Sequence, residues 1–304
     1  MTNRNLYFAL ATLFAMVLYW KPLKALAIIS FHSGIYPYTV VIPLLSVCLI
    51  YLGKKRIFAK VQYDVGSGLF LLLLALVMRW STAWQSATLS PNNSLPLVTV
   101  SFIVLWIGGF VLCYGRKALR AAAFPATIVF LMVPLPQALL ERSIFVLRGC
   151  STQMAGFLFR LGGVPVFRNG FILSLPGTDV EVAEQCSGIR SGLALSITSL
   201  LMGYLFLRSP WRRLWLVLAA FPLTIFKNGL RIALIYWLTV HPSMQSLTVW
   251  MHRYAGIPFS FLGLSALALL VAFFRKFEET SEDNEWIIAG AQGFEKQRQP
   301  RPSS

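Results

Sequence analysis

Apolar residues run through the chain in blocks separated by short basic or polar stretches, with little of the strict alternation that marks half-buried strands. Blocks at roughly 6–20, 37–53, 66–80, 97–114, 121–135, 188–207, 212–227 and 257–274 each approach the ~20 residues a helix needs to cross a bilayer. The pattern predicts an all-α polytopic membrane protein with about eight transmembrane helices. Basic clusters at Lys54-Lys55-Arg56, Arg116-Lys117 with Arg120, Arg208 with Arg212 and Arg213, and Arg275-Lys276 fall at alternate span ends. The positive-inside rule then puts all four clusters and both termini in the cytoplasm. Loops 21–36, 81–96, 136–187 and 228–256 face outward, with Lys21 and Lys24 as a minor violation.

Three outer segments carry patterns of their own. Residues 137–161 mix Leu139, Leu140, Ile144, Phe145, Leu147 and Leu158 with Glu141, Arg142, Arg148 and Arg160, as a helix lying flat in the interface would. The Arg168-Asn169-Gly170 turn signal and the alternation of Asp179-Val180-Glu181-Val182 predict a small β-hairpin with a short third strand. Gly229 to Val240 is too short for a ~30 Å hydrocarbon core and reads as a re-entrant or half helix returning to the outer face. A complete ninth crossing there would leave Arg275 and Lys276 outside.

Residues 1–275 therefore read as a single integral membrane domain, and 276–304, acidic and then rich in Pro, Gln and Ser, as a polar, disordered cytoplasmic tail. Met1 to Asn5 precede an apolar run without a small-residue cleavage site, which reads as a first span rather than a removed signal peptide.

Composition agrees with the pattern: 57% of the 304 residues are hydrophobic and only 12% charged, too little polar surface to coat a soluble globule. A net charge of +16 raises nucleic acid as a partner, but the basic residues sit between apolar segments, as loops beside anionic membrane lipids do. No nucleic-acid binding is expected.

Chemistry concentrates in one place. Only five acidic residues precede position 276, and Asp179, Glu181 and Glu184 are three of them, crowded beside Cys186 and Arg190 at the start of an apolar helix. Polar clusters next to lipid are expensive and mark sites. Cys186 precedes a helix whose free N–H groups and dipole favour a thiolate, and Arg190 falls one turn later, so a nucleophile is favoured over a packing role or a Cys150–Cys186 disulfide. The carboxylates oppose the thiolate but are placed to bind Arg190 or a basic substrate. Cys48 and Cys113 lie in apolar spans and read as small hydrophobes.

Arg231, in Lys227-Asn228-Gly229-Leu230-Arg231, is a guanidinium inside an apolar run on the outer side, suited either to stabilising an oxyanion or to pairing with Glu184 or Glu181. Of the three histidines, His252 is preferred as the proton donor and acceptor, with His241 as runner-up. No ligand spacing for a metal and no nucleotide or dinucleotide fingerprint occurs, so neither metal nor cofactor is expected.

Glu184-Gln185-Cys186-Ser187-Gly188-Ile189-Arg190-Ser191, then Asn228-Gly229-Leu230-Arg231-Ile232, then His252-Arg253-Tyr254-Ala255-Gly256, in that order on a multi-span chain, resemble the exosortase/archaeosortase family. The resemblance extends over roughly 36–275. It implies a membrane-embedded cysteine protease or transpeptidase at the periplasmic face of the bacterial inner membrane. Its partners would be exported proteins ending in a short motif (Pro-Glu-Pro in the best-known branch), an apolar helix and a basic tail.

By position, the resemblance makes Cys186 the nucleophile, Arg231 the essential arginine and His252 the third member, with Arg190, Glu184, Glu181 and Asn228 expected to bind substrate. Where the family often has Ser-His-Gly, this chain reads Phe31-His32-Ser33-Gly34, so His32 carries no catalytic weight. Two other classes fit the same residues: a transporter of an anionic solute, and a transferase acting on polyprenyl phosphates.

Overall fold

The structure, a computed structural model, describes residues 2–85, 91–240 and 256–298. The chain divides into two compact units, Met1–Arg142 and Ser143–Ser304. Almost every element is helical, as a bilayer requires of a chain that cannot close a barrel.

In the first unit, α1 (Thr2–Leu18) and α2 (Trp20–His32) meet at a 76° bend. They are followed by a 3-10 turn at Pro37–Thr39, α3 (Val41–Leu52) and α4 (Lys54–Ile57). Next come α5 (Val65–Gln85), α6 (Pro91–Ala121), α7 (Ala123–Ile128) and a 3-10 turn at Val129–Met132.

α5 and α6 pack as a close pair because Gly68 lies against Leu112 and Gly108 against Leu71 and Leu72; a Cβ on Gly68 would stand 2.7 Å from the Leu112 Cβ. Gly115 breaks the regular helix of α6 at φ +86°, with the Gln62 carbonyl pressed against its Cα. Side chains could not follow it there. Asp64 caps α5, accepting from the Ser67 amide at 3.1 Å and the Ser67 hydroxyl at 2.7 Å, and pairs with Arg116 at 3.0 Å.

The second unit contains most of α8 (Gln137–Leu161), then β1 (Phe167–Asn169), β2 (Ile172–Leu175) and β3 (Thr178–Glu181). After a 3-10 turn at Glu184–Cys186 follow α9 (Ile189–Phe206), α10 (Pro210–Val240) and α11 (Gly256–Arg298). The strands form an antiparallel meander in the order β1-β2-β3, turning at Gly170 and Gly177, both with positive φ. The hairpin and third strand are as the turn signal and alternation predict.

α9 and α10 are antiparallel, since Gly188 meets Asn228, Gly192 meets Thr224 and Gly203 meets Arg213. α11 runs back along them: Gly263 faces Lys227, and Glu278 accepts from the Arg208 and Ser209 amides and lies 3.5 Å from Arg212. A three-helix bundle results, with Cys186, Asn228 and Arg231 at one end and Arg208, Arg212 and Arg213 at the other. The 18 residues of α9 separate the two ends by about 27 Å.

Among the described residues, five helices are long and apolar enough to cross a membrane, or seven if each of two bent pairs counts as one span, close to the eight expected. The shortfall is the 37–53 block, whose helix Pro37–Leu52 extends only about 24 Å. Two expectations need correction. Residues 21–36, expected as a loop, are largely α2: Pro22 falls in its first turn, where the missing N–H breaks no helical bond, and no breaker follows before His32.

The second correction concerns Gly229–Val240, which is neither re-entrant nor a separate half helix but the unbroken continuation of α10, 31 residues in all. At about 46 Å, α10 outruns a hydrocarbon core. Its last third instead buries Ile232 and Tyr236 against Ala155, Phe159, Leu173, Leu175 and Val182 of α8 and the sheet. Gly229 permits this crossing, because a Cβ there would meet the Met154 Cγ at 2.5 Å. Beyond the last basic pair, α11 continues to Arg298 through the segment whose composition predicts disorder.

Candidate functional site

The site grows out of the junction between a small sheet and a helix N-terminus. β3 leads into Val182, which is buried, and then into the 3-10 turn that ends at Cys186. Gly188 reverses the chain at φ +83°, a left-handed conformation that a β-carbon disfavours, and α9 begins at Ile189. A Cβ on Gly188 would also stand 3.2 Å from the Asn228 side chain, so two separate constraints require glycine there. Cys186 is thus presented just before a helix N-terminus, half-buried against the cluster that contains Ile232 and Tyr236.

One hydrogen bond ties the turn to α10. The Asn228 amide, only 3% exposed, donates through Nδ2 to the Cys186 carbonyl at 2.6 Å. Arg231 lies three residues on, less than one helical turn, and so shares the side of α10 that faces the Cys186 turn. Among the described residues Arg231 forms no hydrogen bond or ion pair, and it is half-buried. Lys227, one turn before Arg231, is only 5% exposed and lays its stem against Gly263 of α11.

A second anchor holds the strand that precedes the cysteine. Arg148 of α8, with its side chain 14% exposed, donates through Nε to the Val182 carbonyl and pairs through Nη2 with Glu181 at 3.1 Å. Its guanidinium carbon lies 4.0 Å from the centroid of the Phe171 ring. Sequence reasoning places Arg148 on an interfacial helix and gives it no part in the site. The signal available was an arginine 33 residues from an acid-rich strand, and no sequence spacing reveals that contact.

The expected residues distribute unevenly. Cys186, Asn228 and the α10 turn bearing Arg231 come together. Glu181, expected to bind substrate or to pair with Arg190 or Arg231, is engaged by Arg148 instead. Asn228, also expected to bind substrate, spends its amide on the Cys186 carbonyl. Glu184 and Arg190 are exposed, and neither side chain forms a hydrogen bond or ion pair among the described residues.

Cys150 and Cys186 are both free thiols, which removes the disulfide alternative; Cys113 is buried as expected, whereas Cys48 is exposed. His252 and His241 lie outside the described residues. Among the described residues no group of three His, Cys, Asp or Glu side chains is placed to hold a metal ion.

A family model described as transmembrane exosortase (Exosortase_EpsH) matches residues 30–271 and so spans both units. The chain belongs to the transmembrane exosortase family. No curated protein and no solved structure matches it. Exosortases are in general cysteine-type proteases or transpeptidases that act on exported proteins with C-terminal sorting signals. Membership makes this chain a multi-pass membrane protein of sorting-signal processing. Within this exosortase, Cys186, Asn228 and Arg231 all fall inside the matched region.

Proposed function

We propose that this exosortase cleaves C-terminal sorting signals at the periplasmic face of the inner membrane, with Cys186 as the nucleophile. The observation that carries the reading is the 2.6 Å bond from Asn228 to the Cys186 carbonyl, which pins the thiol-bearing turn against the part of α10 that carries Arg231. The opposite end of the same bundle holds Arg208, Arg212 and Arg213, the sign of a cytoplasmic end, so the thiol end faces outward.

In the proposed reaction the Cys186 thiolate attacks the scissile carbonyl of a substrate whose apolar helix lies in the bilayer. Arg231 stabilises the oxyanion of the tetrahedral intermediate. The C–N bond breaks, the leaving amine takes a proton from His252, and a thioacyl enzyme remains. Transfer of the acyl group to water or to an amine acceptor releases the thiol. Arg190 and Glu184, exposed beside the turn, contact the polypeptide around the cleavage motif.

Replacing Cys186 with alanine is expected to leave the protein folded and to let full-length substrate accumulate in membranes. Unchanged processing in Cys186→Ala would overturn the assignment. A transporter would keep its transport in Cys186→Ser, whereas thiol proteolysis would be lost, so that variant separates the two classes.

A further inference from the structure

The first unit holds a cavity of about 440 Å³ in the elbow between α1 and α2, closed by α3, α6 and the 3-10 turn at Val129–Met132. Its walls are carbon: Met16, Leu23, Phe102, Ile103, Trp106 and Met132 dominate. Two hydroxyls reach it, and both are already satisfied, Thr12 by donating to the Phe8 carbonyl and Ser46 by donating to the Pro125 carbonyl, each at 2.8 Å. Water needs two to four polar partners to settle in such a space, and these walls do not supply them. Trp20 and Val47 line the cavity and are themselves well exposed, so in a bilayer its mouth opens on acyl chains rather than on water.

One lining residue breaks the apolar pattern. Lys24 is exposed and, among the described residues, has no hydrogen-bond or ion-pair partner. A lysine at the rim of a dry cavity keeps its ammonium at the membrane–water boundary, where an anion is the complementary partner. Trp20, one helical turn before it, is the kind of side chain that anchors at that boundary. A transmembrane helix, about 10 Å across, is too wide for the space, whereas a single acyl chain enters it end-on.

We propose that this cavity is a seat for one anionic phospholipid, with an acyl chain in the α1–α2 elbow and the phosphate on Lys24. The lipid fills what is otherwise a void in the first unit and fixes the bend between the two helices. The bound lipid takes no part in bond breaking.

The full chain, purified in mild detergent and exchanged into nanodiscs of phosphatidylglycerol and phosphatidylcholine, is released for native mass spectrometry and the retained lipids counted. The wild type should retain one phosphatidylglycerol with about a five-fold preference, the size expected of one lysine facing an anionic headgroup. Lys24→Gln should abolish the preference while still retaining one lipid, and Ala27→Phe, which fills the elbow, should retain none. Equal retention of the two lipids by the wild type, or an unchanged preference in Lys24→Gln, refutes the headgroup assignment. Undiminished retention in Ala27→Phe refutes the cavity assignment, as does displacement of the lipid by a peptide of the substrate's apolar helix.

Discussion

Replacing Arg148 with alanine is expected to release the chain that delivers Cys186, and the structure sets the size of the effect. Three contacts are lost, of unequal weight. The ion pair with Glu181 contributes least, because the Glu181 side chain is 65% exposed and such pairs are worth about 0–1 kcal/mol. The bond to the carbonyl of Val182, a residue 1% exposed, involves a charged donor and is worth about 1.5–3 kcal/mol. The stack on Phe171 adds about 0.5–2 kcal/mol. The total is roughly 2–6 kcal/mol, most of it from backbone anchoring and ring contact rather than from the visible salt bridge.

Arg148→Ala should therefore raise the rate at which a maleimide labels Cys186 by at least about ten-fold, the equivalent of 1.4 kcal/mol of easier local opening. Glu181→Gln should change it by less than about five-fold. Arg148→Lys, which keeps the charge but not the planar fork, should fall between them. Labelling is read by mass spectrometry on the peptide that contains Cys186, so the other three thiols do not interfere. If Glu181→Gln matched Arg148→Ala, the anchor would be the ion pair after all, and the reasoning from burial would be wrong.

Asn228→Ala should lower substrate processing strongly while costing about 1–3 kcal/mol of stability, because it strips the Cys186 carbonyl of its partner; processing equal to wild type would show that the turn holds itself. Gly229→Val forces α8 away from α10 and should lower stability by about 1–3 kcal/mol, and an unchanged thermal midpoint in detergent would contradict the close crossing at Met154. The Asp64 carboxyl is held below the usual carboxylate range by the Ser67 hydroxyl and amide and by Arg116. A depressed folded pKa gives stability that is present above the ordinary carboxylate pKa of about 3.9 and is lost as pH falls through the folded value. Asp64→Asn should thus lower the unfolding midpoint at pH 6 by an amount that shrinks as pH falls below about 3.9, and a difference that stayed constant into acid would contradict the cap.

The chain's class was legible in the order of residues, and the Cys186 segment that the sequence singles out is the one that the fold ties to Asn228. Apolar blocks with basic ends can only be helices in a bilayer, and the Arg168-Asn169-Gly170 turn predicted the meander that the structure contains. Counting spans is least direct where helices are short or bent: Pro37–Leu52 is shorter than a full span, and the elbow at Tyr19 turns an expected loop into α2. The half-helix reading of Gly229–Val240 failed for a different reason. Length against membrane thickness assumes that an apolar helix ends in lipid, whereas α10 goes on to bury Ile232 and Tyr236 against protein. Arg148 was invisible because its partners, Phe171, Glu181 and Val182, are distant in sequence and only the folded sheet brings them to α8.

The account rests on the Cys186 sulfur as the atom that attacks substrate. Incubating the full chain in membranes with a sorting-signal substrate, quenching in acid and weighing the proteolytic fragments tests this directly. The fragment carrying Cys186 should gain the mass of the substrate's acyl portion, and neutral hydroxylamine should remove it, as for a thioester. An adduct on any other residue, or none while cleavage proceeds, would contradict the claim.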